Sequence, residues 1–462
     1  MLFFLPLFLI LYALTPKKIK NMTLLSGSLI FYALGEMRYL PLLMLSVLVN
    51  YFFGLHIGRR AARSEEAERQ TGRNHQNRLK WNRRRKALLL TAISCNIGLL
   101  AVFKYGWGGK HLPLGISFYT FQILAYLIDV YKGRYKREMS FMNFAVYITM
   151  FPKLLSGPIV EYEEVREELT ERKFTAGGIQ DGLKVFTVGL ASKVLLADRI
   201  GLLWQEVQVT GFESISTPLA WLAAIAYSMK IYFDFYGYSL MAVGLGRMLG
   251  FSLPENFTNP YMATSVREFY HRWHMTLGRW FKEYVYIPLG GSRRGEFRTV
   301  LNLLAVWFLT SLWHGSTANF LIWGMLLWLA IVIERQVNAL GVFARLGKVP
   351  KKVLSHLYLW AFIPVTWVCF EVTDIAQLQI FLGRMFHVVP GIKVSAGDWR
   401  SALANYGMLL GAGALACTPW LQKLFRRFKD SWLVMILLAA LFWLCVWRLE
   451  VEGQNPFMYL DF

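Results

Sequence analysis

The chain has 462 residues, 55% of them hydrophobic and 17% charged, against about 45–50% and about 25% in soluble domains. Ordinary soluble domains cannot bury so much apolar surface, and disorder requires far less of it, so composition places the chain in a membrane. The net charge of +21 then reads as charge on membrane-flanking loops before it reads as a nucleic-acid footprint.

Apolar runs suited to a hydrocarbon core of about 30 Å, or about 20 helical residues, recur along the chain. They lie near 2–14, 22–36, 38–57, 87–103, 115–131, 181–204, 216–235, 297–313, 316–335, 353–371, 402–418 and 432–448. Two further stretches, 141–159 and 236–251, are shorter or interrupted by Gly and Pro. These read as re-entrant or half-length helices, tolerated at membrane depth inside protein or around a water-filled cavity. The pattern predicts an all-α polytopic membrane protein of about 11–13 transmembrane helices. No linker interrupts it, so residues 1–462 read as one membrane-embedded domain, with 57–86 a basic cytoplasmic loop and 252–296 an interfacial motif region.

The first run, MLFFLPLFLILYAL, lacks a preceding positive charge and a small-residue cleavage site, and Lys17, Lys18 and Lys20 follow it. It reads as a retained helix with its N-terminus outside. The loop Arg59–Lys86 holds 11 Lys and Arg against Glu65, Glu66 and Glu68. With the start outside, this loop, Lys17–Lys20 and Lys132–Glu138 all fall on the cytoplasmic side. Only Trp81 offers a base a stacking surface in the basic loop, so no nucleic-acid partner is expected. The charge-rich segment Glu161–Lys173 reads as an amphipathic helix along the cytoplasmic interface.

The four cysteines, Cys95, Cys369, Cys417 and Cys445, sit in apolar stretches without C-x-x-C spacing, and read as small buried hydrophobes rather than disulfides or metal ligands. There is no H-E-x-x-H, P-loop or G-x-S-x-G, and Gly244–Gly250 (GLGRMLG) follows no strand, so it reads as close helix packing. No internal repeat supports an inverted-repeat transporter.

The richest stretch is Arg267–Arg294, REFYHRWHMTLGRWFKEYVYIPLGGSRR. On one helix, Arg267, His271, His274 and Gly278 share a face, beside an aromatic face of Trp273, Leu277, Trp280 and Tyr284. Periodicity alone favours an interfacial helix with its aromatics at the headgroups. His314, in TSLWHGSTANF, ends an apolar run, where an ionisable group points to function. A neutral imidazole there suits general base catalysis on a hydroxyl; a structural contact with a backbone carbonyl is the alternative. Asp234, in YFDFYGYS, must be paired, protonated or hydrogen-bonded. Its reading is divided between orienting a histidine and anchoring an arginine such as Arg247 or Arg272.

At these residues the chain resembles the membrane-bound O-acyltransferase (MBOAT) family, in its bacterial alginate O-acetylase-like branch. The matching stretches are LPLGISFYTFQILAYLIDVYKG (112–133), FPKLLSGPIV (151–160), YFDFYGYS (232–239), FSLPENFTNPY (251–261), REFYHRWHMTLGRWFKEYVYIPLGGSR (267–293), LWHG (312–315) and NPFMYLDF (455–462). The resemblance implies a helical bundle around a central tunnel, with His314 as the essential histidine and His274 as the histidine of the R-W-H motif. It adds Asp234, Arg267, Arg272, Trp273, Trp313 and Tyr238 as supporting or substrate-binding residues. Glu161, Leu240 and His271 depart from the family's usual residues, differences that bear on specificity and partner choice.

The resemblance further implies a polysaccharide O-acetyltransferase of the cytoplasmic membrane. Its donor would be acetyl-CoA, with no bound cofactor or metal, and its acceptor an extracytoplasmic polysaccharide reached through an SGNH-type esterase-fold partner. One alternative is D-alanyl transfer from a carrier protein to teichoic acid, against which YIPLGG (Tyr286–Gly291) argues. A transporter or flippase is the non-enzymatic alternative.

Overall fold

In a computed structural model, the described residues are 4–70, 75–106, 112–155, 157–343, 346–388 and 397–452, side chains at 60–81 and 452 excepted. They form helices, and no strand occurs among them. In chain order these are α1 (Phe4–Leu14), α2 (Lys20–Glu36), α3 (Leu40–Gln70), α4 (His75–Ala101), α5 (Ile116–Lys132), α6 (Phe141–Thr149), α7 (Phe151–Leu154), α8 (Tyr162–Glu171), α9 (Ala176–Ala191) and α10 (Asp198–Thr210). The series continues with α11 (Thr217–Met248), α12 (Val266–Arg272), α13 (Met275–Phe281), α14 (Glu296–His314) and α15 (Ala318–Ala339). It ends with α16 (Lys348–Glu371), α17 (Ile375–Met385), α18 (Asp398–Ala416), α19 (Pro419–Phe428) and α20 (Trp432–Glu452). Among the described residues two compact units result: one of residues 4–183 with Ala242–Pro254, the other of Lys184–Met241 with residues 255–452.

Among the described residues, five helical segments are long and apolar enough to cross a membrane: Lys17–Arg59, Asn82–Gly106, Ala318–Ala339, Lys348–Glu371 and Trp432–Val451. The chain is thus an all-α polytopic membrane protein. Fewer segments pass this test than there are apolar runs, because a helix wrapped by protein need not be apolar to lipid along its whole length. Helix α5, for example, is 17 residues long and buries 14 of them, including Ser117, Thr120, Gln122 and Asp129.

Three expectations change. The basic stretch 57–86 is not a loop: α3 and α4 run through it on both sides of 71–74, which lie outside the described residues. Its Ala, Glu, Arg and Lys are strong helix formers and continue the helices past the apolar spans. Residues 236–251 are not a separate half-helix, because α11 is continuous for 32 residues. Cys95 is exposed on α4, while the other three cysteines are buried. By contrast, 141–159 is broken as expected: Met150 adopts ψ 111° between α6 and α7, and Pro152 sits in the first turn of α7, where its missing N–H leaves no helical bond unmade. The segment Glu161–Lys173 contains a capped helix, α8, that buries Tyr162, Val165 and Leu169 on one side.

Glycines let α11 approach α9 rather than breaking it. In the first unit, a Cβ on Gly182 would stand 2.5 Å from Gly244 O, the close packing expected of GLGRMLG. In the second unit, a Cβ on Gly237 would stand 2.6 Å from Gly189 O, and one on Gly189 equally near Gly237 O. The same approach brings Lys193 to Asp234, with Nζ 3.0 Å from Oδ1. Lys193 also pairs with Asp198. The two are five residues apart across a π-helical turn, Ser192–Ala197, whose i→i+5 period sets them in register. The cation on Asp234 is therefore Lys193, neither Arg247 nor Arg272, and it comes from a neighbouring helix that local spacing cannot reveal.

The first unit centres another motif on a cation. Lys153 of FPKLLSGPIV is fully buried; its ammonium donates to Gln122 Oε1 and lies 4.6 Å from the Tyr147 ring centroid. Burial without a carboxylate is tolerable because the amide oxygen and the ring face both accept the charge.

Two outcomes follow for stability in detergent. Gly237→Ala forces a methyl against backbone atoms of α9 and should destabilise by about 1–3 kcal/mol, measured as a fall in Tm. Lys193→Met removes the cation shared by two largely buried carboxylates and should destabilise by about 3–5 kcal/mol. A Tm equal to that of the unaltered protein would deny Lys193 this structural role.

Candidate active site

The stretch after Arg267 does not form the single helix its spacing suggests. Helix α12 ends at Arg272, α13 starts at Met275, and His274 between them has φ +46° and ψ +53°. Non-glycine residues rarely adopt this left-handed conformation, which costs on the order of 1–3 kcal/mol. The break has an external cause. Segment 256–258 lies alongside, with Thr258 N–H donating to Arg272 O and Met275 N–H donating to Asn256 O, both at 2.9 Å. Those bonds replace ones that a continuous helix would make within itself.

The expected one-face arrangement is therefore lost. Arg267, His271 and Gly278 are exposed, whereas His274 is only 4% exposed. Trp273 precedes the break, Leu277 and Trp280 ride on α13, and Tyr284 belongs to a π-helical turn, Lys282–Tyr286. All four are buried within the protein, so they do not form an interfacial aromatic face.

Asn256 organises the break. Its Oδ1 accepts from Thr276 N–H at 3.2 Å and from the Thr276 hydroxyl at 2.9 Å, and lies 3.1 Å from His274 Nδ1. His274 makes no side-chain cap for α13, so Asn256 satisfies the first-turn donors from a distant part of the chain. The segment itself is anchored through Asn259 Nδ2, which donates to Gln422 Oε1 on α19 at 3.0 Å. Gln422 Nε2 in turn donates to Tyr236 Oη on α11 at 3.2 Å.

The His274 ring packs edge-to-face on Phe235, with centroids 4.7 Å apart at 85°. Its Nε2 is buried without a hydrogen-bond partner among the described residues. Neither α12 nor α13 is among the membrane-spanning segments, and burial pushes this imidazole down to about 3. His274 is thus neutral at physiological pH.

His314 is the last residue of α14 and is half-buried. Aromatic rings hold it edge-to-face: Trp323 at 5.0 Å and 81°, Phe370 at 5.1 Å and 81°, and Trp313 at 4.7 Å and 79°. Gly315 follows because a Cβ there would stand 2.1 Å from a Phe320 ring carbon; its φ of −178° suits any residue. Trp313 also packs against His274, with centroids 6.4 Å apart. One indole thus touches both histidines.

The structure brings together His274, Trp313 and His314, with Phe235, Trp323 and Phe370 around them. Trp273 supports this group from behind, 4.8 Å from Trp367 and 5.1 Å from Phe257. Tyr238 is buried on α11 one turn beyond Asp234. Arg272 pairs with Glu268 at 2.6 Å. Burial opposes ionisation of Glu268, but Thr264 and Arg272 outweigh it and hold the carboxyl below its ordinary value. Asp234 is engaged by Lys193, so neither ion pair reaches a histidine. Asn256, Lys193, Trp323 and Phe370 were not legible as site residues. Asn256 lies in the stretch FSLPENFTNPY, but its target is 18 residues away, beyond α12.

Comparison with known proteins assigns this architecture. Residues 134–370, which include both histidines, match the model of the MBOAT, membrane-bound O-acyltransferase family. The probable alginate O-acetylase AlgI of Pseudomonas putida is 31% identical over 99% of this chain and 98% of its own length. The peptidoglycan O-acetyltransferase of Helicobacter pylori is 32% identical over 78% of this chain and 73% of its own. The teichoic acid D-alanyltransferase of Bacillus subtilis is more distant, 27% identical over 59% of this chain and 69% of its own. The chain belongs to the membrane-bound O-acyltransferase family and is an O-acyltransferase.

Proposed function

We propose that this protein transfers acetyl groups from acetyl-CoA on the cytoplasmic side of the cell membrane to hydroxyls of an extracytoplasmic polysaccharide. The observation that carries the proposal is the pair of histidines joined by Trp313 within the family-matching segment, one half-buried and one buried with a bare nitrogen. Relatives named for O-acetylation of alginate and peptidoglycan stand nearer than one named for D-alanylation. The YIPLGG sequence at Tyr286–Gly291 also favours acetyl. The hydroxyl that accepts the group at this site would belong to the polysaccharide or to an SGNH-type esterase-fold partner that passes the group on to it.

In this reading, His314 takes the proton of the acceptor hydroxyl as its oxygen attacks the thioester carbonyl. A C–O bond forms and the C–S bond breaks. The imidazolium then returns the proton to the departing thiolate, so the enzyme ends unchanged. An imidazole suits both steps because its ordinary pKa lies near neutrality. His274 positions the acceptor or shares the proton. Aromatic walls around His314 exclude water that would otherwise compete for the acyl group.

The test uses purified protein in nanodiscs with radiolabelled acetyl-CoA. His314→Ala should lose acyl transfer by about 10²–10⁴-fold while expression and membrane insertion stay intact. His274→Ala should lose less. Full turnover in folded His314→Ala would overturn the mechanism. Turnover with a D-alanyl carrier protein but not acetyl-CoA would move the protein to the D-alanyl class.

A further inference from the structure

In a neutral imidazole, one ring nitrogen donates and the other accepts, so whatever fixes Nδ1 decides what Nε2 can do. At His274 the group facing Nδ1 is Asn256 Oδ1, at 3.1 Å. The orientation of that amide is settled independently of the histidine. The backbone N–H of Thr276, 3.2 Å from the same oxygen, can only donate, so a flipped amide would set donor against donor. An oxygen opposite Nδ1 requires the proton to sit on Nδ1. That leaves Nε2 with a lone pair, buried and unpartnered among the described residues.

We infer that Asn256 is a positioning residue that holds His274 in its Nδ1–H form, making Nε2 an acceptor for a hydroxyl of the acyl-accepting substrate other than the one whose proton His314 takes. The identity of that substrate rests on the proposed acyl transfer; the tautomer does not. Of the two reacting ends, only the hydroxyl has a proton to donate, whereas a thioester carbonyl can only accept. A bare Nε2 therefore selects a hydroxyl on the acceptor and not the donor's carbonyl.

The charged and titratable groups around His274 are accounted for. On α11, Asp234 is held by Lys193, with Tyr238 beyond it. On α12, Arg272 is held by Glu268, while Arg267 and His271 are exposed. Beside Asn256, Glu255 lies 3.9 Å from Arg426. Arg279 lies on α13 and His314 ends α14. Burial is the cause of the His274 shift, so a charge placed at position 256 would be a new influence on this ring.

Asn256 also caps α13, and the experiment must separate the two roles. Full-length protein carrying ¹³C,¹⁵N-histidine is reconstituted in liposomes for solid-state NMR. The signals lost in His274→Gln identify this ring among the 8 histidines. The expected spectrum has Nδ1 protonated and Nε2 unprotonated from about pH 5 to 8, since the ring's ordinary value is about 6.5 and burial lowers it. A protonated Nε2 overturns the inference.

The kinetic arm uses radiolabelled acetyl-CoA and Asn256 variants of matched Tm. Asn256→Ala should reduce transfer at least about 10-fold, toward the level of His274→Ala. Asn256→Asp keeps an acceptor oxygen and favours the imidazolium, so transfer should recover partly as pH rises, with an acid limb at higher pH than in the unaltered protein. A profile superimposable on that of the unaltered protein would reduce Asn256 to a helix cap. Failure of the wider proposal looks different: His274→Ala turning over at full rate removes the hydroxyl-binding role while the NMR result stands.

Discussion

The two carbonyl oxygens of Asn256 accept from three consecutive residues, His274, Met275 and Thr276, and this convergence turns the chain between α12 and α13. A helix cannot continue through a residue at φ +46°, and a buried loop cannot leave its N–H groups unpaired. Asn256 resolves both demands at once, because it supplies from outside the acceptors that the broken helix no longer provides. The consequence is directional. With the helix broken, His274 leaves the exposed side occupied by Arg267 and His271 and enters the aromatic interior beside Phe235 and Trp313.

A second constraint acts on α11, which supplies Phe235 to this interior. Its position against α9 depends on two glycines whose backbones nearly touch, Gly189 and Gly237. The close approach leaves no side-chain layer between the helices at that level. Lys193 can therefore reach Asp234 directly, and the π-helical turn lets it hold Asp198 as well. One cation between two carboxylates fixes the rotation of α11. Phe235, adjacent to Asp234, is set with it.

The class of the protein was legible because it depends on composition and on periodicity within single segments. Apolar runs marked a helical membrane protein, and proline after Met150 marked a real break. The stretch 236–251 misled for a complementary reason: glycine reads as an interruption in a lone helix, but here Gly237 and Gly244 are contact points between helices. The single face predicted through Arg267 and His274 failed because periodicity assumes that a helix meets its own hydrogen bonds. Nothing within residues 267–281 announces that Asn256 will intercept them. Lys193 was missed similarly, since it lies 41 positions before Asp234 and the pairing exists only once α9 meets α11. His274 and His314 were singled out as residues, while their connection through one indole is a product of the fold.

In the proposed acyl transfer, the two histidines that meet this indole suit different tasks. His314 ends a helix and is half-buried, with ring edges that impose its orientation. A group that must take up and return a proton needs both protonation states within reach. His274 is the opposite case: buried, bonded through Nδ1 and kept neutral by its surroundings. A ring so constrained is poorly suited to cycle through the imidazolium, yet well suited to hold a hydroxyl in one orientation. Trp313, packed on both rings, keeps the two sites in register. In the proposed reaction, acid–base work falls to the less buried imidazole and positioning to the more buried one.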